Sequence, residues 1–316
     1  QQQQQQQQQQ QCRRFSGEFK VDGIRTHYVA VEPPAAKRDI DVPPLVLVHG
    51  FGANSQHFSR NMEEIAAATG ARVYAPDLIG FGNSEKPSSA IYGEMLWSRQ
   101  IRKLIAEIIQ TEKVFLAGNS IGGYVAMNVG ADIQSSCAGL VLINSAGRFG
   151  DLNPLPFLGF LRWRPLAAHL GKLLFHQSRR PEHVHKTLHS VYFDKSKVDE
   201  ELLDLILEPS RSPEAETAGP QLFYSLFTGP LGRTWDELLG PGPEGYRGPV
   251  MALWGKRDPW LFSDYVDILK RLRHDLHVRF MDAGHCPHHE RHEEFNRYLS
   301  SWMLEVVNEA LTSSEL

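Results

Sequence analysis

Ser120 sits in Gly118-Asn119-Ser120-Ile121-Gly122-Gly123, a serine held among small residues. A serine hydroxyl at its ordinary pKa is a weak nucleophile, and it needs an adjacent base that a third group holds in place. Two later residues can fill those roles. Asp258 lies in Trp254-Gly255-Lys256-Arg257-Asp258-Pro259-Trp260, and His285 lies in Ala283-Gly284-His285-Cys286-Pro287. Taken in that order the three read as machinery for acyl transfer, with Ser120 as nucleophile, His285 as general base and Asp258 as the acid that orients the histidine. A G-x-S-x-G string alone is common, and a glycine-rich turn that happens to contain serine is its bland alternative. What surrounds each residue has to decide.

A developing oxyanion needs donors. Val48-His49-Gly50-Phe51-Gly52 can bring its backbone close to a bound carbonyl because of its glycines, so the backbone N–H of Phe51 and of Ile121 are the expected pair. His49 is read as a residue that hydrogen-bonds the loop, and Asp77 as a carboxylate that organises the following one. His285, Cys286, His288, His289 and His292 crowd together, with His288 and His292 one helical turn apart. No second cluster of acids or thiols completes a metal site, so neither metal nor cofactor is expected. Cys137 and Cys286 are read as packing residues.

The elements that must position these residues alternate along the chain. Phe15–Val21 and Ile24–Val31 form an expected hairpin turning at Asp22-Gly23. Short apolar runs typical of buried parallel strands follow at Leu45–Val48, Val73–Ala75, Val114–Ala117, Leu140–Ile143, Val250–Trp254 and Val278–Met281. Helical periodicity lies between several of them, as in Leu96–Ile109. The pattern predicts an α/β fold with a mostly parallel, doubly wound sheet. Ser120, Asp258 and His285 each come directly after a strand run, at the carboxyl edge where open α/β sheets build their sites. Ser120 also leads straight into the helix-forming Tyr124-Val125-Ala126-Met127, which turns the glycine-flanked serine into a strand-to-helix elbow.

The alternation fails across 148–248, where Leu, Phe and Trp recur at helical spacings between prolines. That stretch is read as an inserted helical cap over the sheet edge, leaving 15–147 and 249–307 as the core. Residues 1–14 read as a disordered leader headed by a glutamine homopolymer, and 308–316 as a tail. Phe157, Phe160 and Trp163 in the cap, with Trp260 beside Asp258, are the expected substrate contacts. The apolar cap, flanked by Arg162, Arg164 and Lys172, also suits peripheral contact with a membrane.

Net charge is −4, which leaves no basic field for nucleic acid. Three widely spaced cysteines, Cys12, Cys137 and Cys286, build no disulfide framework. The apolar runs are too short to span a bilayer, so the chain reads as soluble. It does not begin with Met, so a targeting segment could precede it.

Residues 15–307 resemble the α/β-hydrolase superfamily, with HGFGAN, DLIGFGNSEKP, GNSIGGY, WGKRDPW and AGHCPHHE in order. The last two strings, and the segment Val184–Leu207, resemble the plastid pheophytinase and chlorophyll dephytylase group. That resemblance implies the α/β-hydrolase fold with Ser120, Asp258 and His285 as catalytic triad, ester cleavage without a cofactor, a small apolar ester such as a chlorophyll phytyl ester as substrate, and a chloroplast location. It departs from the group in Ile121, where Leu is usual, and in the HHERHEE run. A carbon–carbon bond hydrolase with the same triad, or a receptor-like hydrolase that binds a small signal ligand, remain as alternatives. Oligomeric state is left open by the sequence.

Overall fold

The computed structural model describes residues 11–35, 41–148, 164–228 and 232–314. Strands β1 (Arg13–Val21) and β2 (Ile24–Glu32) form the expected hairpin, and Asp22 and Gly23 both take positive φ at its turn. Six more strands follow: β3 (Leu45–Val48), β4 (Val73–Pro76), β5 (Val114–Ser120), β6 (Cys137–Ser145), β7 (Val250–Gly255) and β8 (His277–Met281). They join the hairpin in one eight-stranded sheet of order β1-β2-β4-β3-β5-β6-β7-β8. Only the pairs β1·β2 and β2·β4 are antiparallel; the remainder of the sheet is parallel.

Buried parallel strands carry apolar residues on both faces, and alternate side chains go to opposite cores. Val46, Val48, Leu116, Leu142 and Trp254 enter one core, which is covered by helices α2 (Glu94–Lys103), α3 (Ile121–Ile133), α8 (Trp235–Leu239) and α9 (Asp264–Leu272). Leu45, Leu47, Phe115, Val141 and Leu253 enter the other, under α1 (Met62–Thr69) and α11 (His292–Ser314). The sheet is therefore wound on both faces, as the strand–helix alternation predicts.

Three boundaries differ from the sequence reading. Strand β1 begins at Arg13, inside the stretch read as a disordered leader, because Arg13 pairs with Glu32 and Arg14 reaches Glu63 and Gln56. The expected helix Leu96–Ile109 starts at Glu94, and its last turn, Leu104–Ile109, widens into a π-helix closed by Gln110 N–H on the Ile105 carbonyl. Helix α11 runs on through the expected tail to Ser314, since no breaker intervenes.

Between β6 and β7 the described residues are helical: α4 (Arg164–Ser178), α5 (Pro181–Val191), α6 (Glu200–Leu207), α7 (Pro213–Thr228) and α8. Proline opens α5 at its first position, and the Asp199 side chain caps α6 on Leu202 N–H. Helices α4 and α7 lie in close contact. A Cβ on Gly219 would sit 2.0 Å from the Phe175 ring, so only glycine permits that approach. Helix α8 packs on α3 and α9, and so on the sheet's own layer. No helix among the described residues is long and apolar enough to cross a membrane.

Candidate active site

Strand β5 ends at Ser120, and α3 begins at the next residue. The reversal puts Ser120 at φ 56°, a region in which a non-glycine residue is strained by about 1–3 kcal/mol. Two glycines make the turn passable. A Cβ on Gly118 would lie 2.2 Å from the Gly122 backbone, and one on Gly122 would lie 2.2 Å from the Val48 carbonyl. The sequence thus folds Ser120 to the tip of an elbow at the sheet's carboxyl edge. Being the first residue of α3, Ile121 has an N–H with no intrahelical acceptor. The opposing loop comes close: a Cβ on Gly50 would be 3.3 Å from Ser120 Cβ. Phe51 follows Gly50, and its backbone N–H takes no acceptor among the described residues.

The loops after β7 and β8 bring Asp258 and His285 together. Both are buried, and His285 Nδ1 lies 2.7 Å from Asp258 Oδ2. An ionised carboxylate only accepts, so Nδ1 carries a proton, and in the neutral imidazole Nε2 is then the acceptor. Asp258 is fully committed: Oδ2 also accepts from Asn144 Nδ2 at 2.8 Å, while Oδ1 accepts from the Trp260 and Leu261 amides. Burial pushes its pKa up, but the His285 bond and these amides outweigh burial and hold the carboxyl below its ordinary value.

Ser120 is linked to that pair through its neighbour. Asn119 donates from Nδ2 to the carbonyls of Ile143 at 3.1 Å and His285 at 3.0 Å, tying the elbow to the histidine loop. Among the described residues no hydrogen bond joins Ser120 Oγ to His285. The His285 backbone is further pinned by its N–H on Val191 O at 2.8 Å, and Glu290 accepts from Gly284 N and Phe193 N. The histidine loop is therefore held by the elbow on one side and by the end of α5 on the other.

Asn119, Asn144, Glu290 and the end of α5 were not singled out from sequence; an amide or carboxylate at a strand end was the only available signal. His49 acts in the loop as expected: it donates from Nδ1 to Gly50 O at 2.7 Å and accepts Leu78 N–H on Nε2 at 2.9 Å. Asp77 gathers Ser55 N, Asn83 N and His27 Nδ1. Cys137 and Cys286 are buried and unpaired by disulfide. Trp260 is 52 % exposed, and its ring lies edge-on to the His285 ring at 5.2 Å. Phe157, Phe160 and Trp163 lie outside the described residues.

Set out this way, the arrangement has a strained serine at a helix N-terminus, a buried carboxylate–imidazole pair with a free Nε2, and two backbone donors beside the serine. Groups so placed are chemically able to carry out nucleophilic attack on a polarised carbonyl, with an imidazole moving the proton.

Known proteins are similar to this chain in sequence and fold. A family model described as the alpha/beta hydrolase family matches residues 45–298. The chloroplastic pheophytinase of Arabidopsis thaliana is 24% identical, over 89% of this chain and 64% of its own length. Lipase 1 of Psychrobacter immobilis is 25% identical, over 77% and 71%. The 2-hydroxymuconate semialdehyde hydrolase of Pseudomonas sp. (strain CF600) is 25% identical, over 85% and 89%. The chain thus spans less than two thirds of the pheophytinase's length. A solved structure described as a membrane phospholipase A superposes with a TM-score of 0.71 at 25% identity, covering 93% of this chain and 87% of that one.

Proposed function

The chain belongs to the alpha/beta hydrolase family, and on that footing we propose that it is a serine hydrolase cleaving a carboxylic ester through Ser120, His285 and Asp258. One observation carries the reading: Ser120 stands at a strained elbow that Asn119 ties directly to the backbone of the paired His285. His285 Nε2 takes the Ser120 proton as Oγ attacks the ester carbonyl, and the Phe51 and Ile121 amides receive the oxyanion. His285 then gives that proton to the departing alcohol. Water, deprotonated by the same nitrogen, attacks the acyl-enzyme; the Oγ–acyl bond breaks, Nε2 returns the proton to Ser120 Oγ, and the acid leaves. Asp258 stays ionised throughout and keeps the imidazole in the right tautomer.

We place the substrate among apolar esters, with the phytyl ester of a chlorophyll-type pigment as the specific candidate and the chloroplast as the compartment. Similarity to the pheophytinase supports both. In this reading the inserted segment before α8 serves as a cap that excludes water, with Phe157, Phe160, Trp163 and Trp260 as substrate contacts and the cap's apolar surface as a site of peripheral membrane contact. Carbon–carbon bond cleavage is the second reading, favoured by the similarity to the muconate semialdehyde hydrolase.

The deciding experiment incubates the protein and its Ser120→Ala variant with pheophytin, chlorophyll, simple acyl esters and a vinylogous diketone. Phytol release that requires Ser120 supports the pigment assignment. Turnover of simple esters alone removes that assignment, and turnover of the diketone alone replaces ester hydrolysis with the second reading. Undiminished turnover by Ser120→Ala sinks the mechanism.

A further inference from the structure

Next to the Gly50–Gly52 loop lies a cavity of about 110 Å³ between the core and the inserted helices. Phe51, Phe81, Tyr92, Phe175 and Leu222 line it, and so does Lys86. The aromatic rings are locked against one another, with Phe51 edge-on to both Phe81 and Phe223 at 5.3 Å. At about 30 Å³ for each water-sized group the space admits roughly four such groups. Phe51, whose amide is the oxyanion donor proposed above, is the residue that joins this cavity to the proposed site; Ser120 and His285 do not line it.

Lys86 is out of place in such a wall. Its ammonium has three donors, and two are spent on carbonyls of its own loop, Gly82 O at 2.6 Å and Ser84 O at 3.1 Å. Among the described residues it forms no ion pair. Asp77, whose charge reaches it from a distance, is already engaged by His27, Ser55 and Asn83, and the other acid acting on it, Glu214, is exposed. Arg25 adds a like charge. Lys86 is half-buried; burial pushes its pKa down, against the pull of Glu214 and Asp77. Stapling a loop needs donors but no charge, and neither acid makes an ion pair with the ammonium among the described residues. The third donor and the charge are thus left for something that enters the cavity.

We propose that this cavity is an anion-terminated subsite, which takes a short apolar arm of the substrate and pairs a carboxylate at the arm's end with Lys86. The inference rests on the proposed ester hydrolysis and, in place of the phytyl ester, points to esters whose acyl arm carries a second acid.

Free glutarate serves as the probe, because it binds whether or not an ester is turned over. Calorimetry compares glutarate with uncharged glutaramide on the full chain, and then compares wild type, Lys86→Gln and Lys86→Arg. Gln keeps N–H donors for the two carbonyls and discards the charge, whereas Arg restores it. Glutarate should bind wild type and Lys86→Arg, with affinity lower by about tenfold for glutaramide and for Lys86→Gln, the effect of one charge-assisted hydrogen bond. In parallel, wild-type kcat/KM for the mono-4-nitrophenyl ester of glutaric acid should exceed that for the pentanoate by about tenfold. That excess should lie in KM and disappear in Lys86→Gln. Equal binding of glutarate and glutaramide by wild type, or no binding of either, overturns the subsite even if Lys86→Gln fails to fold. Charge-selective binding without turnover of any ester instead keeps the subsite and removes the hydrolytic reading.

Discussion

Asn144 shows how much of the site depends on residues that touch no substrate. It sits at φ 37° at the end of β6, donates to Asp258 Oδ2 at 2.8 Å and accepts Gly255 N–H at 2.8 Å. One side chain thus sets the carboxylate and the strand end from which the Asp258 loop departs. A hydrogen bond to a charged group contributes about 1.5–3 kcal/mol, and tenfold in rate corresponds to about 1.4 kcal/mol. Asn144→Ala should therefore lower kcat by about tenfold or more and leave KM near wild type, because the ester contacts are untouched. Steady-state kinetics on an ester the wild type cleaves would check this, and an unchanged kcat would refute the positioning role. The placement of Ser120, Asp258 and His285 at the sheet's carboxyl edge was legible because each follows a strand run. Asn119 and Asn144 were not: their partners lie 166 and 114 residues away, and an asparagine near a strand end announces nothing by itself.

The elbow that joins β5 to α3 depends on glycine in a way that no rotamer adjustment relieves. A Cβ on Gly118 meets backbone atoms of Gly122 and Gly123 at 2.2–2.5 Å, so strand and helix would have to separate. Gly118→Ala should cost about 2–4 kcal/mol, lowering Tm by roughly 3–6 °C and removing activity with it. Calorimetry would test the first effect, and a Tm within a degree or so of wild type would show that the turn is looser than the packing indicates. Apart from the β1–β2 hairpin, the strands were readable because parallel strands buried on both faces become uninterrupted apolar runs, as in Leu45–Val48. Element ends were less so. Arg13 and Arg14 look like leader, yet their backbone pairs with β2 while their guanidinium groups reach Glu32 on β2 and Glu63 on α1. The widening at Leu104–Ile109 depends on which carbonyl the Gln110 amide selects, and apolar periodicity carries no trace of that choice.

At the scale of the whole molecule, the inserted helices meet the core through a buried set of neutral histidines. Tyr192, at the end of α5, bridges His57 Nε2 at 2.9 Å and His289 Nδ1 at 3.1 Å, and His288 Nε2 faces His57 Nδ1 at 3.3 Å. Burial first, then repulsion from neighbouring histidines, drives His57 and His288 well below the ordinary imidazole value. His289 is lowered to about 4, by burial first and then by Arg60, against the pull of Asp199 and with His292 and Lys197 near. In the unfolded chain the same rings titrate near 6.5. The unfolded state then binds more protons than the native one whenever the pH is below 6.5, so stability is complete above that value and falls as the solution is acidified. His289 alone accounts for about 3 kcal/mol of that loss by its own folded value. Asp77 and Asp258, held below their ordinary range, lose their contribution only at lower pH, whereas Glu290, raised by burial, opposes the trend. Lowering the pH from 7 to about 4.5 should therefore cut Tm by roughly 5–10 °C. The slope should flatten in His289→Gln, which keeps a polar group for Tyr192 and cannot take up the proton. Thermal melts of both proteins across that range decide it: parallel slopes would mean that the histidines at this junction do not set the acid limit of the fold, and that the loss lies with carboxylates elsewhere in the sheet's loops.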